Sequence, residues 1–160
     1  MRRIVFILFL SLGGILFAEG IPLSFGGNLG ADMSTPMGYA FNMGFHGDYE
    51  FLPDLKVGIQ QEFSFASSFF NSNTSAYAKW YTPFDFSFPG FYIIPFIKGN
   101  IGVSYLKYKE MYTTAFLIGA EAGIKLDFES VKGLYVEPYF KFGYPYFWGF
   151  GVAAGYSLDK

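Results

Sequence analysis

Large apolar side chains occupy every second position over long stretches of this sequence. In LYVEPYFKFGYPYFWGFGVAAGYSL (residues 134–158), the positions between them hold Glu137, Lys141 and several Gly and Ala residues. Successive side chains of a β-strand point to opposite faces, so a period of two indicates strands with one apolar face. After residue 18, no segment is apolar over the roughly 20 residues that a membrane-spanning helix needs. The pattern therefore predicts an all-β fold.

Turn residues divide the alternating sequence into eight predicted strands. They cover residues 21–33, 39–51, 55–66, 75–87, 91–106, 115–128, 134–144 and 147–158. Two internal repeats support this division. GFYIIPFIKGN from Gly90 aligns without a gap with GLYVEPYFKFG from Gly133, and AEAGIKLD from Ala120 aligns with VAAGYSLD from Val152. The last two hairpins thus resemble each other, as in an up-and-down antiparallel meander.

The residues between the large apolar ones indicate which face of the sheet is exposed. They are mostly Gly, Ala, Ser and Asn, whereas a water-exposed sheet face favours Thr, Lys and Glu, because Gly weakens a strand. The chain is 52% hydrophobic and only 15% charged, compared with roughly 25% charged residues in a typical soluble domain. The lumen of an eight-stranded barrel is just wide enough for side chains. We therefore predict an eight-stranded antiparallel up-and-down transmembrane β-barrel with the apolar face towards lipid.

A secreted, soluble lipid-binding calyx is the alternative fold for the same alternation. In a calyx the apolar face would point inward and the polar face would meet water. The two folds differ in the direction of every side chain, and the scarcity of charged residues favours the membrane barrel.

The first residues, MRRIVFILFLSLGGILFAEG, have the pattern of a secretory signal peptide cleaved after Ala18. We therefore predict a signal peptide over residues 1–18 and one barrel domain over residues 19–160. Loss of Arg2 and Arg3 would change the net charge from −2 to −4 and leave no arginine. We therefore predict no nucleic-acid partner, because phosphate binding needs clustered Lys and Arg. The chain has no cysteine, which excludes disulfides.

The stretch PYFKFGYPYFWGFGVAAGYSL (residues 138–158), with its paired Gly and aromatic positions, resembles the small eight-stranded outer-membrane barrels. This group includes the transmembrane domain of OmpA, OmpX, OmpW and the opacity-type adhesins. The resemblance implies a monomer in the bacterial outer membrane, with outer-membrane lipids and the barrel-assembly machinery as partners. Such barrels usually end on an aromatic residue that the assembly machinery reads, whereas this sequence ends in Leu158, Asp159 and Lys160.

The inward face carries nearly equal numbers of lysines and carboxylates. Adjacent strands can pair them, and pairing avoids the large penalty of an isolated buried charge. The predicted lumenal network consists of Asp48, Glu62, Lys79, Lys98, Glu121, Lys125, Glu137 and Lys141. The network either fills the lumen or lines a path for protons or ions.

His46 and Asp48 lie two residues apart on the inward face. Some eight-stranded outer-membrane enzymes act on lipid A through a His, Ser and Glu set that faces lipid. Here His46 points inward and no serine accompanies it at that spacing. A single histidine is also weak support for a metal site. We therefore predict no catalytic site, no cofactor and no metal.

Two sets of connections are expected at the two ends of the barrel. The predicted outer loops cover 34–38, 66–74, 106–114 and 145–146, and the predicted periplasmic turns cover 52–54, 88–90 and 129–133. Phe69 and Phe70 are predicted as an exposed aromatic loop tip. The tip either folds back on the rim or dips into the outer-leaflet lipid, or it contacts a surface or a hydrophobic ligand. The expected function is that of a non-enzymatic outer-membrane protein with a plugged lumen, active in envelope integrity or surface contact. A narrow conduit for small hydrophobic molecules is the alternative.

Overall fold

The computed structural model describes residues 22–34, 38–67 and 69–158. The described residues form β-strands and turns, as the alternation predicts. The strands are β1 (Leu23–Ser34), β2 (Gly38–Leu52), β3 (Leu55–Ala66), β4 (Phe69–Tyr81), β5 (Phe86–Phe88), β6 (Phe91–Tyr108), β7 (Met111–Phe128), β8 (Leu134–Tyr144) and β9 (Trp148–Ser157). The predicted signal peptide lies outside the described residues. Within them, no helix is long and apolar enough to cross a membrane.

Eight long strands close into one barrel. Each strand pairs antiparallel with its neighbours in the order β4-β3-β2-β1-β9-β8-β7-β6, and a further ladder between β4 and β6 joins the two ends of this series. The short β5 pairs with residues 91–93 at the start of β6, on the edge that β4 covers further along the strand. The prediction of a closed, eight-stranded, antiparallel up-and-down barrel is confirmed.

The apolar face lies outside the barrel. Phe140 is 48% exposed and Ile101 is 55% exposed, whereas Lys141 is 0% exposed and Glu137 is 2% exposed. Neighbouring residues therefore alternate between the barrel surface and its interior. This is the arrangement predicted for a membrane barrel and the reverse of the calyx.

Inward glycines make room for aromatic rings on the neighbouring strand. Gly58 pairs with Tyr77 across the β3–β4 ladder, and Gly151 pairs with Tyr139 across the β8–β9 ladder. A Cβ at Gly58 would lie 2.7 Å from the Tyr77 ring, and one at Gly151 would lie 2.6 Å from the Tyr139 hydroxyl. The alternation of glycine with large residues thus allows rings to cross a narrow lumen.

The predicted boundaries are wrong for the fourth strand. β4 covers Phe69–Tyr81 and β5 is a separate strand, so residues 75–87 do not form one strand. The loop predicted over 66–74 is mostly strand, because β3 ends at Ala66 and β4 begins at Phe69. The loop predicted over 106–114 is a turn at Lys109 and Glu110. Three of the polar residues that indicated the first loop face inward: Asn71, Asn73 and Ser75 are buried. Polar composition marks lumenal positions here as well as loops.

The two ends of the barrel differ in their connections. One end, the terminus end, contains the start of β1, the end of β9 and the connections 53–54, 82–90 and 129–133. The opposite end, the distal end, contains Ser67 and the connections 109–110 and 145–147. β6 and β7 are the longest strands, with 18 residues each. At the distal end β7 extends past β8 by seven residues, whereas β4 covers β6 up to Tyr108.

Candidate functional site

All eight predicted lumenal side chains point into the barrel. Alternate residues of β2, β3, β4, β6, β7 and β8 place them there, because side chains at i and i+2 share a face. They are buried, except that the Lys98 side chain is 10% exposed: Asp48, Glu62, Lys79, Lys98, Glu121, Lys125, Glu137 and Lys141. The interior of the barrel is therefore the candidate functional site.

Lys141 lies between two carboxylates. Its Nζ is 3.0 Å from Asp32 Oδ1 and 3.0 Å from Glu62 Oε2. Asn28 Nδ2 donates to Glu62 Oε1 at 3.0 Å, and Ser64 Oγ donates to Asp32 Oδ2 at 2.7 Å. Asp32 and Glu62 thus each have an ionic partner and a neutral hydrogen-bond donor, and Lys141 has two ionic partners.

A second group surrounds Glu137. Lys79 Nζ donates to Glu137 Oε2 at 2.7 Å, and the Tyr81 hydroxyl donates to Oε1 at 2.7 Å. The Lys79 ammonium also lies 5.3 Å from the centre of the Phe96 ring and 5.7 Å from that of Tyr81. Ion pairing and ring contacts together stabilise a lysine that is 3% exposed.

The remaining inward lysines also meet carboxylates. Lys98 Nζ lies 2.8 Å from Glu121 Oε2 and donates to Gln60 Oε1 at 2.5 Å. Near the terminus end, Lys56 lies 3.5 Å from Asp48, and Lys125 lies 3.4 Å from Asp127. The Tyr77 hydroxyl donates to Asp48 Oδ2 at 2.8 Å. Each inward lysine of the described chain has a carboxylate within 4 Å.

Aromatic and aliphatic side chains fill the space between the charged groups. Tyr81, Phe96, Tyr139 and Ala153 form one buried cluster, and Ala40, Phe69 and Leu106 form another. A gap of about 10 Å³ remains among the central polar side chains, including Gln60, Glu62, Lys98 and Glu121. That volume is about what a single water molecule requires.

Several buried polar atoms of the lumen have no partner among the protein groups. They are Gln60 Nε2, both amide atoms of Asn73 and Ser75 Oγ. Buried polar groups are generally satisfied by ordered water where the protein does not supply a partner. These atoms mark the places in the lumen where water would bind.

Three charged residues of the network are missing from the predicted set. Asp32 on β1, Lys56 on β3 and Asp127 on β7 are 2%, 5% and 9% exposed, and all three take part in the ion pairs above. Their inward position follows from the same alternation, so the signal was present in the sequence. The inward tyrosines gave no such signal, because alternation alone does not separate a lumenal tyrosine from one in an exterior aromatic belt.

The prediction of an exposed tip at Phe69 and Phe70 is wrong. Phe69 is the first residue of β4 and is 6% exposed, and it packs in the cluster with Ala40 and Leu106. The Phe70 ring lies on the exterior, 6.3 Å from Phe63 and 5.5 Å from Phe65. Both residues belong to the barrel wall because the strand starts earlier than the polar sequence suggested.

His46 also points inward, where its Nε2 lies 3.0 Å from the Tyr135 hydroxyl. Among residues 22–34, 38–67 and 69–158, no group of three or more His, Cys, Asp or Glu side chains is arranged to hold a metal ion. The geometry around His46 is that of a packed polar pair.

A small polar group interrupts the apolar exterior. Gln61 Nε2 donates to Ser72 Oγ at 2.9 Å, and Thr74 Oγ1 donates to Gln61 Oε1 at 2.5 Å. Gln61 pairs in regular register with Phe45 and Thr74, so no bulge moves it to this face. The three side chains satisfy one another on the outer surface of β3 and β4.

Comparison with solved structures supports the fold. The N-terminal β-barrel domain of Pseudomonas aeruginosa OprF matches with a TM-score of 0.62 at 11% identity, over 88% of this chain and 99% of that one. Neisserial surface protein A (NspA) matches with a TM-score of 0.59 at 11% identity, over 86% and 96%. A de novo designed transmembrane β-barrel matches with a TM-score of 0.55 at 11% identity, over 88% and 98%.

No protein-family model matches the sequence, and no curated protein matches it either. At these identities, the three structures show the fold alone. The chain has the fold of the small eight-stranded outer-membrane barrels.

Proposed function

We propose that this chain is a non-enzymatic integral protein of the bacterial outer membrane, with a plugged lumen and a role in envelope integrity or surface contact. The observation that carries the proposal is the division of side chains between the two faces of the wall. Hydrocarbon covers the outside, while lysines and carboxylates pair inside.

The exterior supports insertion into a bilayer. In hydrocarbon every backbone donor and acceptor must be paired within the protein, and a closed barrel satisfies this condition. The eight barrel strands have between 10 and 18 residues, compared with about 9 to 11 residues for a tilted spanning strand. Charged residues outside the lumen lie near the barrel ends: Asp54, Asp85, Lys107, Lys109, Glu110, Glu129 and Lys132.

We place the terminus end in the periplasm, in line with the periplasmic turns predicted at 52–54, 88–90 and 129–133, and the distal end outside the cell. Outer-membrane barrels usually have their longer connections outside the cell. This barrel has the reverse, because the connections 82–90 and 129–133 at the terminus end are longer than 109–110 and 145–147 at the distal end. At the distal end, the seven residues of β7 that extend beyond β8 are available for surface contact.

The filled interior supports a barrel that does not conduct. Ion pairs and aromatic rings cross the lumen, and the central gap of about 10 Å³ is enclosed by polar side chains. The same polar lining disfavours a conduit for small hydrophobic molecules, because such a molecule would have to pass groups that it cannot hydrogen-bond.

Two measurements on purified protein test the proposal. Folded membrane barrels resist unfolding by SDS until they are boiled, so the unboiled protein is expected to migrate differently from the boiled protein. The folded form is also expected to float with lipid vesicles in a density gradient. Protein that stays monomeric in buffer without detergent, and away from the vesicles, would contradict membrane insertion.

Single-channel recording tests the plugged lumen. The folded protein in a planar bilayer is expected to give no steady open events, while a larger water-filled barrel in the same bilayer serves as the positive control. Repeated long openings would favour a conduit and would overturn the plugged lumen without affecting the membrane location.

A further inference from the structure

A strand edge of seven residues is open at the distal end of the barrel. β7 pairs with β6 over its whole length, from Tyr108↔Met111 to Phe91↔Phe128. Its ladder with β8 begins only at Ile118↔Tyr144. Residues 111–117 therefore have a neighbour on one side only, and no other backbone hydrogen bond from the described residues reaches them.

The neighbouring chain turns away from this edge. After Tyr144, the chain folds over the mouth of the barrel, where Tyr146 is 3% exposed, and the Phe147 amide donates to the Met33 carbonyl. Met111, Tyr112 and Phe116 are 68%, 58% and 56% exposed. The edge is thus accessible from the side as well as from above.

The neighbouring strand β6 is paired on both sides in the same part of the barrel. β4 pairs with β6 up to Phe69↔Tyr108, so both sides of β6 are hydrogen-bonded as far as the hairpin turn. Of these two strands, β7 presents unpaired N–H and C=O groups, which belong to every second residue of an antiparallel strand.

Natural proteins usually protect such an edge with lysine, proline or a bulge, because an open edge pairs with other strands. The sequence MYTTAFL at residues 111–117 contains no charged residue and no proline. Thr, Tyr and Phe are all favoured in strands. The composition therefore promotes pairing.

The segment is complementary to itself. If two copies pair antiparallel about Thr114, the cross-strand pairs are Thr114 with Thr114, Tyr112 with Phe116, and Thr113 with Ala115. Thr–Thr pairs and aromatic pairs are among the cross-strand contacts that stabilise sheets. Tyr112, Thr114 and Phe116 occupy alternate positions, so the aromatic and threonine contacts form on one face of the joined sheet.

We propose that residues 111–117 pair with the same segment of a second copy of this chain, held in a facing membrane. The inference rests on the proposed membrane location. Two copies in the same membrane would be related by a two-fold axis along the membrane normal. Barrel strands tilt about 35–45° from that normal, so the two strands would cross at roughly 70–90° and could not pair antiparallel. Antiparallel pairing needs opposed strand directions, which two barrels attain when they point towards each other.

This arrangement is compatible with a monomer within each membrane. The edge is roughly 20 Å long at about 3.3 Å per residue, and it ends at the hairpin turn with Lys109 and Glu110. The two sheets would join across the space between the membranes, while the barrel walls remain separated by lipid.

The test uses two populations of lipid vesicles, one with a donor dye and one with an acceptor dye, both carrying the full-length folded protein. Energy transfer between the populations is expected to rise as the vesicles come together. In Thr114→Lys the two lysines would face each other across the two-fold axis, so transfer is expected to fall about fivefold or more, since like charges directly opposite destabilise a pair. Thr114→Glu is expected to behave in the same way.

Mixing the two variants makes the test specific for the pairing register. Vesicles with Thr114→Lys and vesicles with Thr114→Glu are expected to come together with each other, although neither population does so alone. Tyr105→Lys is the matched control, because Tyr105 lies opposite Thr114 on the covered strand β6. It adds the same charge away from the seam, and clustering is expected to persist.

Heat-dependent gel migration of each variant separates the possible failures. Protein that does not fold into the vesicles would contradict the proposed function. Protein that folds and inserts without bringing vesicles together would overturn the pairing alone. The pairing would also be overturned if Tyr105→Lys abolished clustering, if the Lys and Glu populations failed to join, or if clustering required a different added protein.

Discussion

The two faces of the barrel wall hold opposite kinds of side chain, often on neighbouring residues. Phe140 is 48% exposed on the outside, and the next residue, Lys141, is fully enclosed within 3.0 Å of two carboxylates. On the exterior, a side chain need only be apolar to suit its surroundings. In the lumen, each charged side chain depends on particular partners from other strands.

This comparison indicates where the barrel tolerates change. Exterior hydrocarbons contact lipid and can be exchanged for one another with little effect. Lumenal groups are mutually dependent, because removal of one partner leaves a buried charge or donor without compensation. Substitutions that respect the chemistry of a face should therefore be mild, and those that violate it should be severe.

The largest effect is expected for Lys141→Ala. The change leaves Asp32 and Glu62 buried without their shared cation, so the free energy of unfolding should fall by about 3–5 kcal/mol. Urea titration in lipid vesicles, followed by heat-dependent gel migration, measures the loss. Lys132→Ala in an exposed turn is the control and should leave stability nearly unchanged. A Lys141→Ala protein as stable as this control would show that the ion pairs contribute nothing.

The next effect is expected from a charge on the outside. Ile101 is 55% exposed near the middle of β6, and Ile101→Lys should cost about 2–4 kcal/mol because the ammonium would lie in hydrocarbon. Val131→Lys, in a turn at the terminus end, places the same charge in water and should be nearly neutral. Equal effects of the two substitutions in the same urea titration would mean that the exterior does not contact lipid.

A smaller effect is expected when an inward glycine gains a methyl group. In Gly151→Ala the Cβ would lie 2.6 Å from both the Tyr139 hydroxyl and the Leu29 carbonyl, so overpacking should cost about 1–3 kcal/mol. Gly99→Ala is the matched control, since its Cβ would have no neighbour within 4 Å. We expect Gly99→Ala to be neutral or slightly stabilising by thermal unfolding, and a similar loss at both sites would argue against a filled lumen.

The smallest effect is expected for Gln61→Leu, which replaces an exterior polar group with hydrocarbon. Its hydrogen bonds join only Ser72, Thr74 and the local backbone, and such bonds average about 0.6 kcal/mol in membrane proteins. The adjacent inward change Gln60→Leu removes an acceptor of Lys98 and should cost about 1–3 kcal/mol. A larger loss of stability for Gln61→Leu than for Gln60→Leu in chemical denaturation would contradict the proposed difference between the two faces.

The sequence predicted most of the fold because alternation is a local property. β3 and β8 begin and end where the pattern placed them, at Leu55–Ala66 and Leu134–Tyr144. β4 was misplaced because Asn71, Asn73 and Ser75 have loop-like composition, although they face a polar lumen. Polar composition identifies a loop only where the inward face of the strands is apolar. In this barrel the inward face of the strands is polar.

The sequence predicted which charged residues lie in the lumen, but it did not predict which of them pair. Asp48, Glu62 and Lys98 were assigned to the lumen from their position in the alternation, and they lie there. Phe69 and Phe70 were placed on a loop and lie in the wall, because the start of a strand depends on its partner β6 as well as on its own residues.

The sequence by itself determined that the chain forms strands, and which residues share a face, because side-chain direction in a strand follows from backbone geometry with a period of two. Only the tertiary structure decided which strand begins where, which edge stays open, and which charges meet. Lys141 and Glu62 are separated by 79 residues and lie 3.0 Å apart. That contact depends on closure of the barrel and on the register of its ladders, which join parts of the chain that no local pattern relates.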